Sequence, residues 1–184
     1  DKRLDEIDAT PSPYGKSLTG IGFGMSTSAF AMLMGLGWLE ILYSGLLGLM
    51  VYFWKLWSEH SKRVNLMLEP VASFCVGLAA CAINYCTPSG LNIWLIILSS
   101  LIILVPGLSL TMGLAELSSR NMVSGTARVM DAMMQLFKLY FGAFLGISLG
   151  YQLFGVQELV PITKLTGWVP WLGVLMLSVG LVAI

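Results

Sequence analysis

Four polar side chains recur on one helical stripe of this sequence: Arg128, Asp131, Gln135 and Lys138, at spacings of three, four and three. At 1.5 Å per residue the stripe is about 15 Å long. Its surroundings are apolar, and charge turned toward lipid is costly, so the stripe must face protein, water or both. A carboxylate such as Asp131, flanked by two cations at partial membrane depth, can gain and lose a proton as its exposure changes. Coupling to a proton gradient needs such a group. The plainer alternative leaves Arg128 and Asp131 in interfacial water and lets Lys138 snorkel. The residues alone leave both open.

Val105-Pro106-Gly107 interrupts a second apolar run. Proline removes a backbone hydrogen bond and clashes with the preceding turn. A break there frees backbone groups, which discontinuous transporter helices use to bind substrate; a simple proline kink is the bland alternative. Ser109 and Thr111 follow and offer hydroxyls beside the break. Ser109, Met112, Gly113, Glu116 and Arg120 then share a face by spacing, which predicts a Glu116–Arg120 pair at i, i+4. Glu116 reads either as a carboxylate at the mouth of a pathway or as half of a surface ion pair. Beyond Lys138, Gly142, Gly146 and Gly150 continue the stripe as a smooth face for close helix packing.

Enzymatic and metal chemistry find little support. His60 is the single histidine and lies in the charged run Glu59–Arg63, where a solvated loop is the better reading. Gly20, Gly22 and Gly24 follow no strand and extend to no phosphate-binding fingerprint. Cys75, Cys81 and Cys86 match no zinc or redox spacing and read as small buried packing residues. We expect no catalytic residue, no metal and no cofactor.

The elements that carry these residues are membrane helices. Of 184 residues 57% are apolar and 11% are charged, with ten cations balancing ten anions. That excludes a disordered chain and a nucleic-acid binder, and leaves the bilayer as solvent. Uncharged runs cover 17–39, 41–54, 70–115 and 139–157, with a further apolar run over 165–184. The third holds two crossings separated by the turn signal Thr87-Pro88-Ser89-Gly90, with the third helix expected over about 70–86, starting at Pro70, and the fourth from about Leu91. The expected fold is an all-α integral membrane protein with five complete transmembrane helices and a sixth at the C-terminal end. Glu40 and Lys55 flank the second helix and are expected to snorkel. A cytoplasmic N-terminus puts Lys2, Arg3, Lys16, Lys55, Lys62, Arg63, Arg120 and Arg128 inside, eight of the ten cations, as the positive-inside rule favours. The organisation expected is a cytoplasmic tail over 1–16, with Leu4 and Ile7 on one short amphipathic turn or in a solvated terminus. An N-terminal transmembrane half follows over 17–160, broken near 106–107, and the start of a second, truncated half over 161–184.

The run Val105-Pro106-Gly107, Thr111, Glu116-Leu117 and Val123-Ser124-Gly125-Thr126-Ala127-Arg128 resembles the signature of the threonine/serine exporter family. Leu4-Asp5-Glu6-Ile7 with Pro13-Tyr14, and Leu33 to Trp38, are similar to that family's approach to its first helix and its first outer turn. Glu116 stands where Asp is usual. The resemblance implies about ten helices in two halves, fused or separate, and proton-driven export of small hydrophilic amino acids. Split relatives are associated with dicarboxylate export, which is the alternative substrate class; a non-transporting scaffold subunit is the other alternative. Taken with the stripe and the break read from the residues themselves, the expected substrate pathway runs through Pro106, Gly107, Ser109, Thr111, Asn121, Ser124, Gly125 and Gln135, with Glu116, Arg128, Asp131 and Lys138 in proton coupling or charge pairing. The expected partners are the lipid bilayer, substrate and protons, and a second half or partner subunit, with a homo-oligomer left open and no nucleic acid. The expected location is a bacterial plasma (inner) membrane.

Overall fold

The computed structural model describes residues 16–58, 62–87, 90–155 and 168–182, all helical apart from short connections. The tail over 1–15, His60 and Lys164 lie outside the described residues. Among the described residues seven α-helices follow in order: α1 (Lys16–Leu33), α2 (Trp38–Ser58), α3 (Lys62–Cys86), α4 (Ile93–Leu101), α5 (Gly107–Ser118), α6 (Met122–Phe154) and α7 (Val169–Val182). One 3₁₀ turn, Ile102–Leu104, extends α4. By length and composition α2, the Met67–Cys86 part of α3, and α6 can each cross a membrane. The pair Ile93–Leu104 and Gly107–Ser118 qualifies as a fourth, bent by 64°. The apolar parts of α1 (Leu18–Leu33) and α7 are shorter than the about 20 residues a straight span needs. Among the described residues three to four helices thus qualify as spans by length and composition, against the five complete helices and a sixth expected from uncharged runs.

Small residues set the helix packing. On α3, Ser73, Gly77 and Cys81 step by four; on α6, Gly142, Gly146 and Gly150 do the same. A Cβ on Gly142 would collide with Ser73 Oγ and the Pro70 carbonyl, and one on Gly146 with the Phe74 carbonyl. One on Gly150 would lie 2.6 Å from Cys81 Cβ. Contacts that climb both helices in the same direction make α3 and α6 parallel neighbours. Close backbone approach of this kind replaces the hydrophobic drive that lipid cannot supply. α1 runs antiparallel to α2 through Gly24, Gly45 and Gly48, and antiparallel to α7 through Gly173 and Gly180. A core of Phe23, Leu47, Val51, Val76, Ile96 and Ile147, among others, ties α1, α2, α3, α4 and α6 together.

Three expectations change. Pro70 does not start α3; it lies inside it, and the helix runs on through Glu69 and Met67. Glu40 does not snorkel. It is 7% exposed and accepts hydrogen bonds from the Gly37 N–H and the Asn92 N–H, both at 2.8 Å. This carboxylate caps the start of α2 and holds the connection into α4 against it, a buried polar group with its partners supplied. Cys81 is buried against Gly150, Cys75 is half-buried, and Cys86 is exposed rather than packed, at the C-terminal end of α3.

Candidate functional site

The break between α4 and α5 is built from proline's missing donor. Val105 is extended, with φ −71° and ψ 123°, and its N–H donates to Ile102 O at 3.2 Å. Pro106 adopts φ −79° and ψ 55°, and the Gly107 N–H donates back to Val105 O at 2.8 Å. That three-residue reversal is an inverse γ-turn. It re-aims the chain by 64° and leaves the first turn of α5 without a side-chain cap. Space is open around the Gly107 Cα. Ser109 is half-buried two residues on. The Thr111 hydroxyl turns back to its own helix, donating to Gly107 O and Leu108 O.

α5 returns to α6 through a tight turn. Arg120 has φ +64°, the Arg120 N–H donates to Leu117 O, and the Asn121 N–H donates to Glu116 O. This pairing is a Schellman ending with a non-glycine residue in the left-handed position. The helix therefore stops at Ser118, and Arg120 is not at i+4 of a continuing helix. The expected Glu116–Arg120 pair gives way to another: Glu116 Oε1 meets Arg128 Nε at 3.0 Å, and the Ser124 hydroxyl donates to Glu116 Oε2. Gly125 makes the approach possible. A Cβ there would sit 2.9 Å from Gly113 O and 2.8 Å from Leu117 Cγ. Glu116, Ser124, Gly125 and Arg128 thus clasp α5 to α6. The side chain of Asn121 does not cap α6 and is exposed.

Along α6 the polar stripe is mostly engaged. Gln135 Nε2 donates to Leu104 O at 3.2 Å, satisfying a carbonyl at the break. Lys138 Nζ meets Glu69 Oε2 of α3 at 3.2 Å. Asp131 is exposed and makes no ion pair among the described residues. The stripe therefore points three ways: Arg128 to α5, Gln135 to the break, and Lys138 to α3. Glu69 was missed from sequence. Its one signal is its place as the last charge before the uncharged run that starts at Pro70. Finding its partner 69 residues away requires the parallel register of α3 and α6.

An apolar cavity of about 380 Å³ lies between α4 and α6, lined by Trp94, Leu98, Leu101, Val105, Leu136 and Tyr140 among others. No cluster of metal-ligating side chains occurs among the described residues. No solved structure matches the chain. A relative from Candida albicans (strain WO-1), named "Pheromone-regulated membrane protein 10", is 30% identical over 157 residues. Its counterpart in strain SC5314 / ATCC MYA-2876 is equally similar. The alignment covers 84% of this chain and 14% of each relative, so the chain spans about a seventh of the curated proteins it matches. The family model described as "Putative threonine/serine exporter" matches residues 1–150, which hold the break, the clasp and the polar stripe. With most of its length inside that match, the chain belongs to the threonine/serine exporter family.

Proposed function

We propose that this chain forms the substrate-path half of a proton-driven secondary exporter of small hydrophilic amino acids, threonine and serine foremost. The observation that carries the reading is the break at Pro106 with Gln135 reaching it from α6. A discontinuous helix beside a polar stripe, at membrane depth, supplies backbone and amide groups to a polar solute where lipid supplies none. The charge balance favours a zwitterion over a dianion. Both cations of the stripe are neutralised, Arg128 by Glu116 and Lys138 by Glu69. In this reading the path crosses a plasma membrane with the N-terminus cytoplasmic, five helices spanning and α7 opening the sixth. The α4–α5 pair counts as one broken span, and tilt or local thinning accommodates the short α1. A second half, fused or separate, closes the path, so the 184-residue chain alone does not transport.

The test is counterflow of labelled threonine, serine and succinate into proteoliposomes holding the full-length protein. Exchange of threonine and serine without succinate is expected. Exchange of succinate alone would replace the substrate class, and exchange of none would favour a scaffold.

A further inference from the structure

Glu69 and Lys138 place a charge pair at the edge of the apolar part of this fold. Lys138 is the middle residue of α6, and no charge follows it before the helix ends at Phe154. Glu69 lies in the first turn of the apolar stretch Met67–Cys86. Their pair therefore stands at the level where both helices become continuously apolar. Packing does not require it there, because the small residues from Ser73 to Cys81 and from Gly142 to Gly150 already fix the contact between α3 and α6. Nor is the pair sealed. The Lys138 side chain is 38% exposed and that of Glu69 20%. Exposed charge at this level is not presented to hydrocarbon, so the open side of the pair meets water or a polar solute. One helical turn along α6, Gln135 reaches the carbonyl of Leu104 at the break.

We infer that the Glu69–Lys138 pair is a docking point for a zwitterionic α-amino acid. This rests on the transport reading above and adds the groups that recognise the substrate. The Lys138 ammonium takes the α-carboxylate, and the Glu69 carboxylate takes the α-ammonium. The incoming molecule replaces each half of the pair with a partner of the same sign, so no charge is left uncompensated at any stage. A dicarboxylate gains one partner at Lys138 and is repelled by Glu69, so the pair selects against it.

The experiment measures binding of three probes to the purified full-length protein. They are serine, ethanolamine (which lacks the carboxylate) and glycerate (which lacks the ammonium). The wild type is expected to bind serine most tightly. Lys138→Gln should weaken serine and glycerate by roughly 10–100-fold, the loss of a charge-assisted contact, and leave ethanolamine nearly unchanged. Glu69→Gln should weaken serine and ethanolamine and spare glycerate. Should either single variant fail to fold, the double variant Glu69→Gln, Lys138→Gln keeps a neutral hydrogen-bonding pair. It is expected to fold and to lose the preference for serine over both analogues. Equal effects on all three probes, or none, with the wild type still binding serine, would overturn the docking site alone. A wild type that binds none of the three removes the transport reading and the docking site together.

Discussion

Individual side chains in this fold divide into those held by partners and those left open, and the division assigns different tests. Asp131 has no ion pair among the described residues, while Arg128 is taken by Glu116 at 3.0 Å. Asp131→Asn should therefore leave stability within about 0.5 kcal/mol of the wild type, as for other exposed sites, and the melting temperature nearly unchanged. If Asp131 carries the coupling proton, the same variant loses gradient-driven export but keeps counterflow. Melting and both transport modes measured on one purified preparation decide it; retained pH-dependent export would remove Asp131 from the mechanism. Glu116 calls for a pair of variants. Glu116→Gln preserves hydrogen bonds to Ser124 and Arg128, so a clasp survives it, whereas Glu116→Ala loses the clasp and is expected to abolish export. Loss of export in both would instead make the charge of Glu116 essential. Arg120 holds a left-handed conformation that costs a non-glycine residue about 1 kcal/mol, so Arg120→Gly should raise thermal stability by up to about that amount. The stripe from Arg128 to Lys138 was readable because helical spacing is local. The partners of Lys138 and of Glu40 were not, since they are set by contacts between α3 and α6 and between α2 and the start of α4.

Elements show the same contrast between local and distant causes. The break at Pro106 and the glycine faces of α6 follow from residue types that act within a turn or two. The turn near Arg120-Asn121 that ends α5 was readable too, but its geometry was not: no glycine marks the left-handed position, so the exchange of Arg120 for Arg128 as the partner of Glu116 was not foreseen. Pro70 misled in the other direction. A helix packed closely at and beyond a proline absorbs one lost hydrogen bond, and α3 does so with Pro70, Ser73 and Phe74 pressed against Gly142 and Gly146. Gly146→Leu should therefore separate α3 from α6, costing roughly 1–3 kcal/mol by overpacking, and lower the melting temperature in detergent. Gly107 is the opposite case: its Cα faces open space and its φ is not positive. Gly107→Ala should fold normally and stiffen the start of α5. A marked fall in export with unchanged or raised stability is then the expected result if the break must flex.

At the level of the whole molecule, uncharged runs placed the described helices in the right order and roughly the right positions, apart from the early start of α3 at Lys62 and the early end of α1 at Leu33. They did not foresee that α1 and α7 would be short of a full span, and the break expected at Pro106–Gly107 did not by itself give the 64° bend between the two helices of the fourth crossing. Length and hydropathy report apolar extent, whereas bends and tilts depend on the neighbours each helix packs against. The central claim is that a polar path runs along the broken helix. It is tested most directly by labelling Ser109→Cys with a membrane-impermeant thiol reagent, in a transport-competent full-length protein with Cys75, Cys81 and Cys86 replaced. We expect labelling from one side of the membrane and protection by threonine but not by succinate. A variant that still exports threonine yet is labelled from neither side would contradict a path through the break.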